Sequence, residues 1–302
     1  MSSPSLSRRE FMGRTAAGAG ALALAARGGL AEDAPRRKAS DRVPLGKTGL
    51  KVSRAGMGSG VRGWSHESNQ TRAGFENFLE MVRHAWENKL NFFDAADSYG
   101  THAYFRAAFQ RLKIPREEIV VSTKLNWREC PTPAAALERF RLELDVDVLD
   151  ICLLHCLTDP GWLERGEGGK GREKRAFDAL QDAKAKGKLR AVGASCHTFE
   201  ALQVAANTPG FDYHLVRINH VGKEALMDAS PQEVAPFLKM MHDQGRGVGG
   251  MKIVGEGKIK DQLDQSLKFV TGLGSVDTMA IGFEKPGEVD DFVARLDKVL
   301  GG

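Results

Sequence analysis

Hydrophobic and polar positions along the chain follow two alternating patterns. Short apolar runs with the length and composition of buried strands recur at regular intervals. They cover residues 54–58, 91–94, 119–123, 148–154, 190–194, 215–219, 247–251 and 278–281. Between these runs, apolar residues recur every three or four positions, which predicts amphipathic helices. The predicted helices cover residues 71–88, 101–112, 132–145, 173–187, 198–206, 230–243, 258–271 and 285–299.

The alternation predicts a single domain with α/β architecture. Eight strand–helix units follow one another without a shift in composition. Their number and total length are typical of a closed (β/α)8 TIM barrel, which takes about 250 residues, rather than of an open doubly wound sheet. Upstream, two short strand patterns flank Gly46–Lys47–Thr48–Gly49 and predict an N-terminal β-hairpin. We therefore expect one barrel domain over residues 43–302, with a long Gly-rich loop at residues 157–173.

The first residues have the pattern of a targeting segment. Residues 7–13, "SRREFMG", resemble a twin-arginine export signal, with Arg8 and Arg9 paired. A run of eleven weakly apolar residues follows and ends in small residues up to Ala31. This run is shorter than the roughly 20 residues that span a bilayer, so we predict no stable membrane span. We expect a signal peptide over residues 1–31, cleaved near Ala31, then a linker over residues 32–42, with the twin-arginine machinery as partner and a periplasmic or extracytoplasmic location.

Charge and cysteine content argue against two other classes of protein. The formal net charge is +4, of which +3 lies in residues 1–31, so the body of the chain is nearly neutral and nucleic-acid binding is not expected. The four cysteines, an even number in an exported protein, leave disulfides open. The pairs His155–Cys156 and Cys196–His197 raise a metal-dependent barrel hydrolase as a hypothesis. No cysteine pair has C-x-x-C spacing, and adjacent strand residues face opposite sides, so we predict no metal site.

Titratable residues follow the ends of three successive predicted strands. The second strand ends at Asp94, and Tyr99 lies five residues further on. Lys124 follows the third strand, and His155 follows the fourth. Because functional residues of a (β/α)8 barrel lie at the C-terminal ends of its strands, we expect these four side chains to meet at one mouth.

These residues belong to an ordered set of segments that resembles the aldo-keto reductase superfamily. The segments are "LGKTGLKVSR", "GMGSG", "FFDAADSYG", "VVSTK", "DICLLH" and "VGASCH", within a resemblance that covers residues 43–283. The resemblance implies a nicotinamide-dependent oxidoreductase that reduces an aldehyde, ketone or sugar carbonyl. It implies that Tyr99 is the general acid and that His155 orients the carbonyl. Lys124 would then lower the pKa of the phenol, and Asp94 would keep Lys124 charged and in place.

The resemblance also implies an NADP or NAD cofactor and a small-molecule carbonyl substrate. The positions carried over as cofactor-binding are Gly58, Ser59, Ser195, Cys196, Asn219, Met251, Lys252, Gly255 and Gly257. Cys196 stands where the family has Asn, and Met251 replaces an aromatic residue. The usual cofactor preference of the family favours NADP. However, Lys285 is the only basic residue in residues 281–291, where four acidic side chains would repel a 2′-phosphate.

These departures keep a second hypothesis open. A non-catalytic barrel that binds a cofactor, or that acts as a regulatory subunit, would tolerate weak cofactor contacts and an exported location. Mere binding does not require Tyr99 beside Lys124, so the four titratable residues favour the enzyme.

Overall fold

The computed structural model describes residues 37–164 and 171–302. Eight parallel strands close into a barrel in the order β10-β3-β4-β5-β6-β7-β8-β9. Their bounds are β3 Ala55–Gly58, β4 Phe92–Asp94, β5 Val120–Leu125, β6 Leu149–Leu157, β7 Leu189–Cys196, β8 Tyr213–Arg217, β9 Gly247–Met251 and β10 Thr278–Gly282. The predicted (β/α)8 barrel is therefore confirmed.

The predicted hairpin is also present and closes the N-terminal end of the barrel. Strands β1 (Arg42–Pro44) and β2 (Lys51–Ser53) pair antiparallel. Gly46 has a φ of +51°, and a Cβ there would lie 2.3 Å from the backbone nitrogen of Gly247. Only glycine allows this close approach. The buried apolar side chains of the hairpin join the core inside the barrel.

Helices surround the barrel, and their bounds differ from the prediction at two places. The helices are α1 Asn69–Arg72, α2 Phe75–Glu87, α3 His102–Leu112, α4 Pro133–Leu144, α5 Arg172–Ala185, α6 Phe199–Asn207, α7 Pro231–Asp243, α8 Leu263–Gly272 and α9 Pro286–Gly301. The predicted helix 71–88 is broken because Gly74 has a φ of +88°. The predicted helix 258–271 begins only at Leu263, after two short 3-10 turns.

Side chains along each strand point alternately into and out of the barrel, which produces two hydrophobic cores, one inside the barrel and one between the strands and the helices. Phe92 packs inside the barrel against Tyr213, whereas its neighbour Phe93 packs outward against Phe105 of α3. Successive strand residues point to opposite faces, so Asp94 continues the inward series of β4. By the same alternation, Lys124 on the neighbouring strand β5 also points into the barrel. Inward-facing residues near the strand ends therefore form the floor of the mouth.

Some sequence predictions lie outside the described residues. The predicted signal peptide (1–31) and the linker up to residue 36 belong to this group, so both remain predictions, as do the domain bounds. The predicted loop 157–173 is shorter than expected, because Leu157 ends β6 and Arg172 begins α5. Residues 165–170 of this loop also lie outside the description.

Among residues 37–164 and 171–302, no helix combines the length and the apolar character needed to cross a membrane.

All four cysteines of the chain have free thiols, so the disulfides that the even count left open are absent. Cys152 and Cys196 pack in the apolar layer between strands and helices.

Candidate active site

The four predicted catalytic side chains converge at the mouth of the barrel. Lys124 Nζ donates to Asp94 Oδ2 at 2.6 Å. The same ammonium lies 4.9 Å from the centroid of the Tyr99 ring. The Tyr99 hydroxyl lies 3.3 Å from His155 Nε2, within hydrogen-bonding distance. The mouth therefore brings together an ion pair, a phenol and an imidazole.

The protonation of Tyr99 differs from the sequence-based expectation. Burial raises its pKa well above the ordinary value of a phenol, and the charge of Asp94 raises it further. The net shift is therefore upward, and the contribution expected from Lys124 stays a prediction. The ammonium lies against the ring face, and both Asp94 and the carbonyl of Ala95, which accepts at 2.7 Å, compensate its charge. Tyr99 is consequently a neutral proton donor at physiological pH.

His155 is held as a neutral imidazole. Burial and the neighbouring charge of Lys124 lower its pKa well below the ordinary value. Ser98 Oγ lies 3.2 Å from Nδ1, on the side of the ring opposite Tyr99. A Ser98 hydroxyl that donates to Nδ1 leaves the ring proton on Nε2. Nε2 then faces the Tyr99 hydroxyl as a donor, which leaves the phenolic hydrogen free for a substrate oxygen.

A glycine-containing loop covers Tyr99 and was not identified as part of the site. A Cβ on Gly60 would lie 2.3 Å from the Tyr99 ring, and a Cβ on Gly63 would lie 2.5 Å from it. The sequence contains a signal for this loop, because Gly58, Gly60 and Gly63 have the spacing G-x-G-x-x-G after a strand. That spacing suggests a phosphate-binding turn that opens a helix. Here the next helix begins only at Asn69, and two of the glycines make room for Tyr99.

An elongated cavity begins at this cluster and runs along the outside of the mouth. Its volume is 870 Å³, and Asp94, Tyr99 and Lys124 line one end. Met251 and Lys252 line its middle, and the N-terminal part of α9 lines the far end. A volume of this size is typical of small-molecule and cofactor sites.

Four of the predicted cofactor residues line this cavity. They are Gly58, Met251, Lys252 and Gly257. A Cβ on Gly257 would meet no other atom within 4 Å, so this glycine leaves space beside the cavity. Lys252 forms an ion pair with Glu256, which also lines the cavity. The β9 end and the turn after it are therefore placed to contact an elongated ligand.

The other five predicted cofactor residues do not line the cavity. Ser59 is buried and hydrogen-bonds to Asp94 O and Thr101 Oγ1. Cys196 faces the helices, since the preceding residue on β7 faces inward. Gly255 packs against Ala225.

Ser195 and Asn219 use their side chains inside the protein. Ser195 Oγ accepts a hydrogen bond from the backbone nitrogen of Cys156 at 3.0 Å. Asn219 lies in the loop after β8 and donates to the carbonyls of Ala225 and Lys252 at 2.9 and 3.1 Å. Its Oδ1 accepts from two backbone nitrogens of the same loop. Both side chains therefore fix loops at the mouth.

The far end of the cavity carries charges of both signs. Lys260, Lys285 and Arg295 line it together with acidic residues of α9. Glu288 accepts a hydrogen bond from the backbone nitrogen of Glu284 at 2.8 Å and so occupies the N-terminal end of this helix. Acidic residues outnumber basic ones within residues 281–291, as predicted. Lys260 and Arg295, which lie outside this range in the sequence, line the same end of the cavity and partly offset the negative charge.

Within the described ranges, no group of three His, Cys, Asp or Glu side chains is placed to hold a metal ion. Cys156 Sγ lies 3.3 Å from His197 Nε2, but Arg217 donates to the other nitrogen of this ring at 2.7 Å. The Cys156–His197 pair is thus part of a protein hydrogen-bond network.

The fold and the site define a (β/α)8 barrel with an acid–base cluster at its mouth. Residues 57–277 match the model of the Aldo/keto reductase family, which is more than half of the chain. The protein therefore belongs to the aldo/keto reductase family.

Individual relatives are more distant. L-galactose dehydrogenase of Arabidopsis thaliana is 27% identical over 217 residues, which covers 68% of this chain and 62% of that protein. An aldo-keto reductase from Klebsiella pneumoniae in complex with NADPH superposes with a TM-score of 0.65 at 18% identity, covering 88% of this chain and 92% of that one. The holo form of an aldo-keto reductase from Bacillus halodurans gives 0.65 at 17% identity, covering 85% and 90%. At these identities the two structures establish the fold alone.

Proposed function

We propose that the protein is a nicotinamide-dependent oxidoreductase that reduces the carbonyl group of an aldehyde, a ketone or a sugar. The observation that carries this proposal is the convergence of Asp94, Tyr99 and Lys124 at one end of the 870 Å³ cavity, with His155 Nε2 beside the Tyr99 hydroxyl. Membership of the aldo/keto reductase family supports the same chemistry.

The protonation states suit reduction. Tyr99, whose pKa is raised by burial, keeps its hydrogen at neutral pH and can donate it to the developing alkoxide. Neutral His155, whose Nε2 lies 3.3 Å from the Tyr99 hydroxyl, would turn this donor to the substrate oxygen once the carbonyl is bound and so orient it. The ion pair of Lys124 with Asp94 fixes the ammonium under the Tyr99 ring, where its field stabilises negative charge that develops at the phenol oxygen.

The cavity fits an extended dinucleotide. One end is the acid–base cluster, and Met251 offers a flexible apolar side chain for packing against a flat ring. Beyond it, Lys252 and Lys260 offer positive charge for phosphates, although Lys252 is paired with Glu256. A reduced nicotinamide would supply the hydride. NADP is favoured by the NADPH that the Klebsiella pneumoniae relative binds, whereas Glu288 and Asp291 at the far end favour a cofactor without the 2′-phosphate.

The test is a titration of the purified protein with NADH and with NADPH by fluorescence, followed by a panel of aldehydes, ketones and sugars. We expect binding of at least one reduced cofactor and its oxidation by part of the panel. Binding without turnover across the panel would reject the enzyme. It would favour a non-catalytic cofactor-binding barrel or regulatory subunit, an alternative supported by the internal hydrogen bonds of Ser195 and Asn219.

We also propose that the chain is exported by the twin-arginine route to a periplasmic or extracytoplasmic location. The support is the sequence of residues 7–13 and the apolar run behind it. Replacing Arg8 and Arg9 together by Lys should retain the full-length chain in the cytoplasm. Equal export of the two forms in cell fractionation would contradict this proposal.

A further inference from the structure

Outside the barrel wall, five polar side chains connect the strand that carries Lys124 with the turn that carries Tyr99. We name this set the outer clamp; it consists of Thr123, His102, Glu143, Arg139 and Asp97. Thr123 precedes Lys124 on β5 and therefore faces outward. Asp97 lies in the 3-10 turn that ends at Tyr99.

The clamp is a continuous chain of short hydrogen bonds. Thr123 Oγ1 lies 2.6 Å from His102 Nε2, and His102 Nδ1 lies 2.7 Å from Glu143 Oε2. Arg139 donates to Glu143 Oε1 at 2.7 Å. The other contact of Arg139 is bidentate, with bonds of 3.0 and 2.9 Å to the two oxygens of Asp97. No gap separates β5 from the turn of Tyr99.

The two ends of the clamp are buried and its centre is accessible to solvent. Thr123, His102 and Asp97 are buried, Glu143 is half-buried, and Arg139 is exposed, with 46% of its side chain accessible. The hydrogen bonds with Asp97 raise the pKa of Arg139, so its positive charge persists at every accessible pH. A planar bidentate arginine contact restrains both distance and orientation of its carboxylate.

The turn itself needs such a restraint. It contains only the three residues Asp97–Tyr99, and the loop with Gly60 and Gly63 leaves no spare room around the Tyr99 ring. A shift of the turn would move the phenol away from both Lys124 and His155. A displacement of about 1 Å at a reacting group can cost on the order of a hundredfold in rate.

We propose that the outer clamp sets the position of the Tyr99 hydroxyl relative to Lys124, with Arg139 as its central positioning residue. The role rests on the proposed carbonyl reduction, in which Tyr99 is the proton donor.

The first test uses Arg139→Met, Arg139→Lys and the control Arg141→Met. Arg141 lies on the same helix, and its guanidinium pairs with Glu138 and with the carbonyl of Asp147, away from the turn. We expect Arg139→Met to lower kcat by about 10- to 100-fold with little change in KM, Arg139→Lys to restore part of the rate, and Arg141→Met to match the wild type. In a Tyr99→Phe background, Arg139→Met should have no further effect. An unchanged kcat in Arg139→Met, or an undiminished loss in the Tyr99→Phe background, would overturn the proposal.

The second test does not depend on turnover. The chain has only three tyrosines, so ¹³C-labelled tyrosine gives few NMR signals, and Tyr99→Phe identifies the signal of Tyr99. We expect Arg139→Met to shift that signal and to leave the signal of Tyr213, which lies inside the barrel, in place. A Tyr99 signal that does not move rejects the clamp. A moving signal in a protein without any reductase activity keeps the clamp and rejects the proposed function.

Discussion

The two ends of the cavity are built differently. At the Tyr99 end, the ammonium of Lys124 is almost completely buried, and each titratable group contacts another group of the cluster. At the far end, exposed side chains pair locally; Arg295 bonds to Asp291 and Asp264 at 2.8 and 2.9 Å. The first arrangement is fixed by the barrel, and the second depends on surface residues that adjust at little cost.

This difference explains which changes should be severe. Removing one partner of a buried ion pair strongly lowers the free energy of unfolding, whereas an exposed ion pair contributes only about 0–1 kcal/mol to it. We therefore expect substitutions at the Tyr99 end to be poorly tolerated. Substitutions at the far end should change the affinity for the ligand without abolishing the reaction.

The largest effect is expected for Lys124→Met. The substitution leaves the carboxylate of Asp94 buried without its ammonium and should lower the free energy of unfolding by about 3–5 kcal/mol. It should also lower the rate of carbonyl reduction by about 10²–10⁴-fold. Denaturant unfolding and steady-state kinetics measure the two losses.

A double variant and a surface control separate the two losses. Lys124→Met with Asp94→Asn should recover most of the stability but not the activity. Lys184→Met removes a more exposed pair with Asp212 and should cost at most about 1 kcal/mol. Comparable losses in Lys124→Met and Lys184→Met would contradict the contrast between the buried and exposed pairs.

Gly60→Ala should have the next largest effect. Its new methyl group would lie 2.3 Å from the Tyr99 ring, so the ring or the loop must move. We expect kcat to fall by about 10- to 100-fold. Gly272→Ala is a suitable control, because a Cβ there meets no atom within 4 Å. Wild-type turnover in Gly60→Ala would mean that the loop does not set the position of Tyr99.

Ser195→Ala tests the predicted cofactor contact of this residue, and its expected effect is smaller. The hydroxyl accepts from the backbone of Cys156, so its loss should lower the free energy of unfolding by about 1–3 kcal/mol. The affinity for NADH or NADPH should change by less than about threefold, well below the tenfold that a 1.4 kcal/mol contact provides. Met251→Ala, at a residue that lines the cavity, should weaken binding more. A stronger loss in Ser195→Ala than in Met251→Ala would restore the cofactor-binding role that the resemblance implies for Ser195.

The pH profile should show the smallest change of all. The pKa of Tyr99 is raised above its ordinary value and that of His155 is lowered below its ordinary value, so neither group changes protonation between about pH 7 and 9. We expect kcat for reduction to be flat over this interval. A titration of the labelled Tyr99 signal between pH 7 and 9, with a matching fall in kcat, would show that Lys124 lowers the pKa of the phenol after all.

The sequence was sufficient for the barrel and for the convergence of the four side chains. Strand alternation and position at a strand end are local properties, and they place Asp94 and Lys124 on the same face of neighbouring strands. The break at Gly74 was missed because a single glycine in an amphipathic stretch is often tolerated.

The pKa of Tyr99 and the roles of Ser195 and Asn219 could not be obtained in the same way. They depend on which atoms far apart in the chain become neighbours, such as Ser195 Oγ and Cys156 N. Asn219 bonds to the carbonyl of Lys252, 33 residues away. The upward direction of the Tyr99 shift was missed because the expectation did not include burial of the phenol, which is the largest cause, or the effect of the Asp94 charge on the phenol itself.

The most direct test of the account is the single-turnover rate of carbonyl reduction by Tyr99→Phe with saturating reduced cofactor. We predict a fall of about 10²–10⁴-fold with unchanged cofactor affinity, because the variant removes only the proton donor. A Tyr99→Phe protein that binds cofactor and reduces the carbonyl at the wild-type rate would contradict the central claim that this phenol supplies the proton.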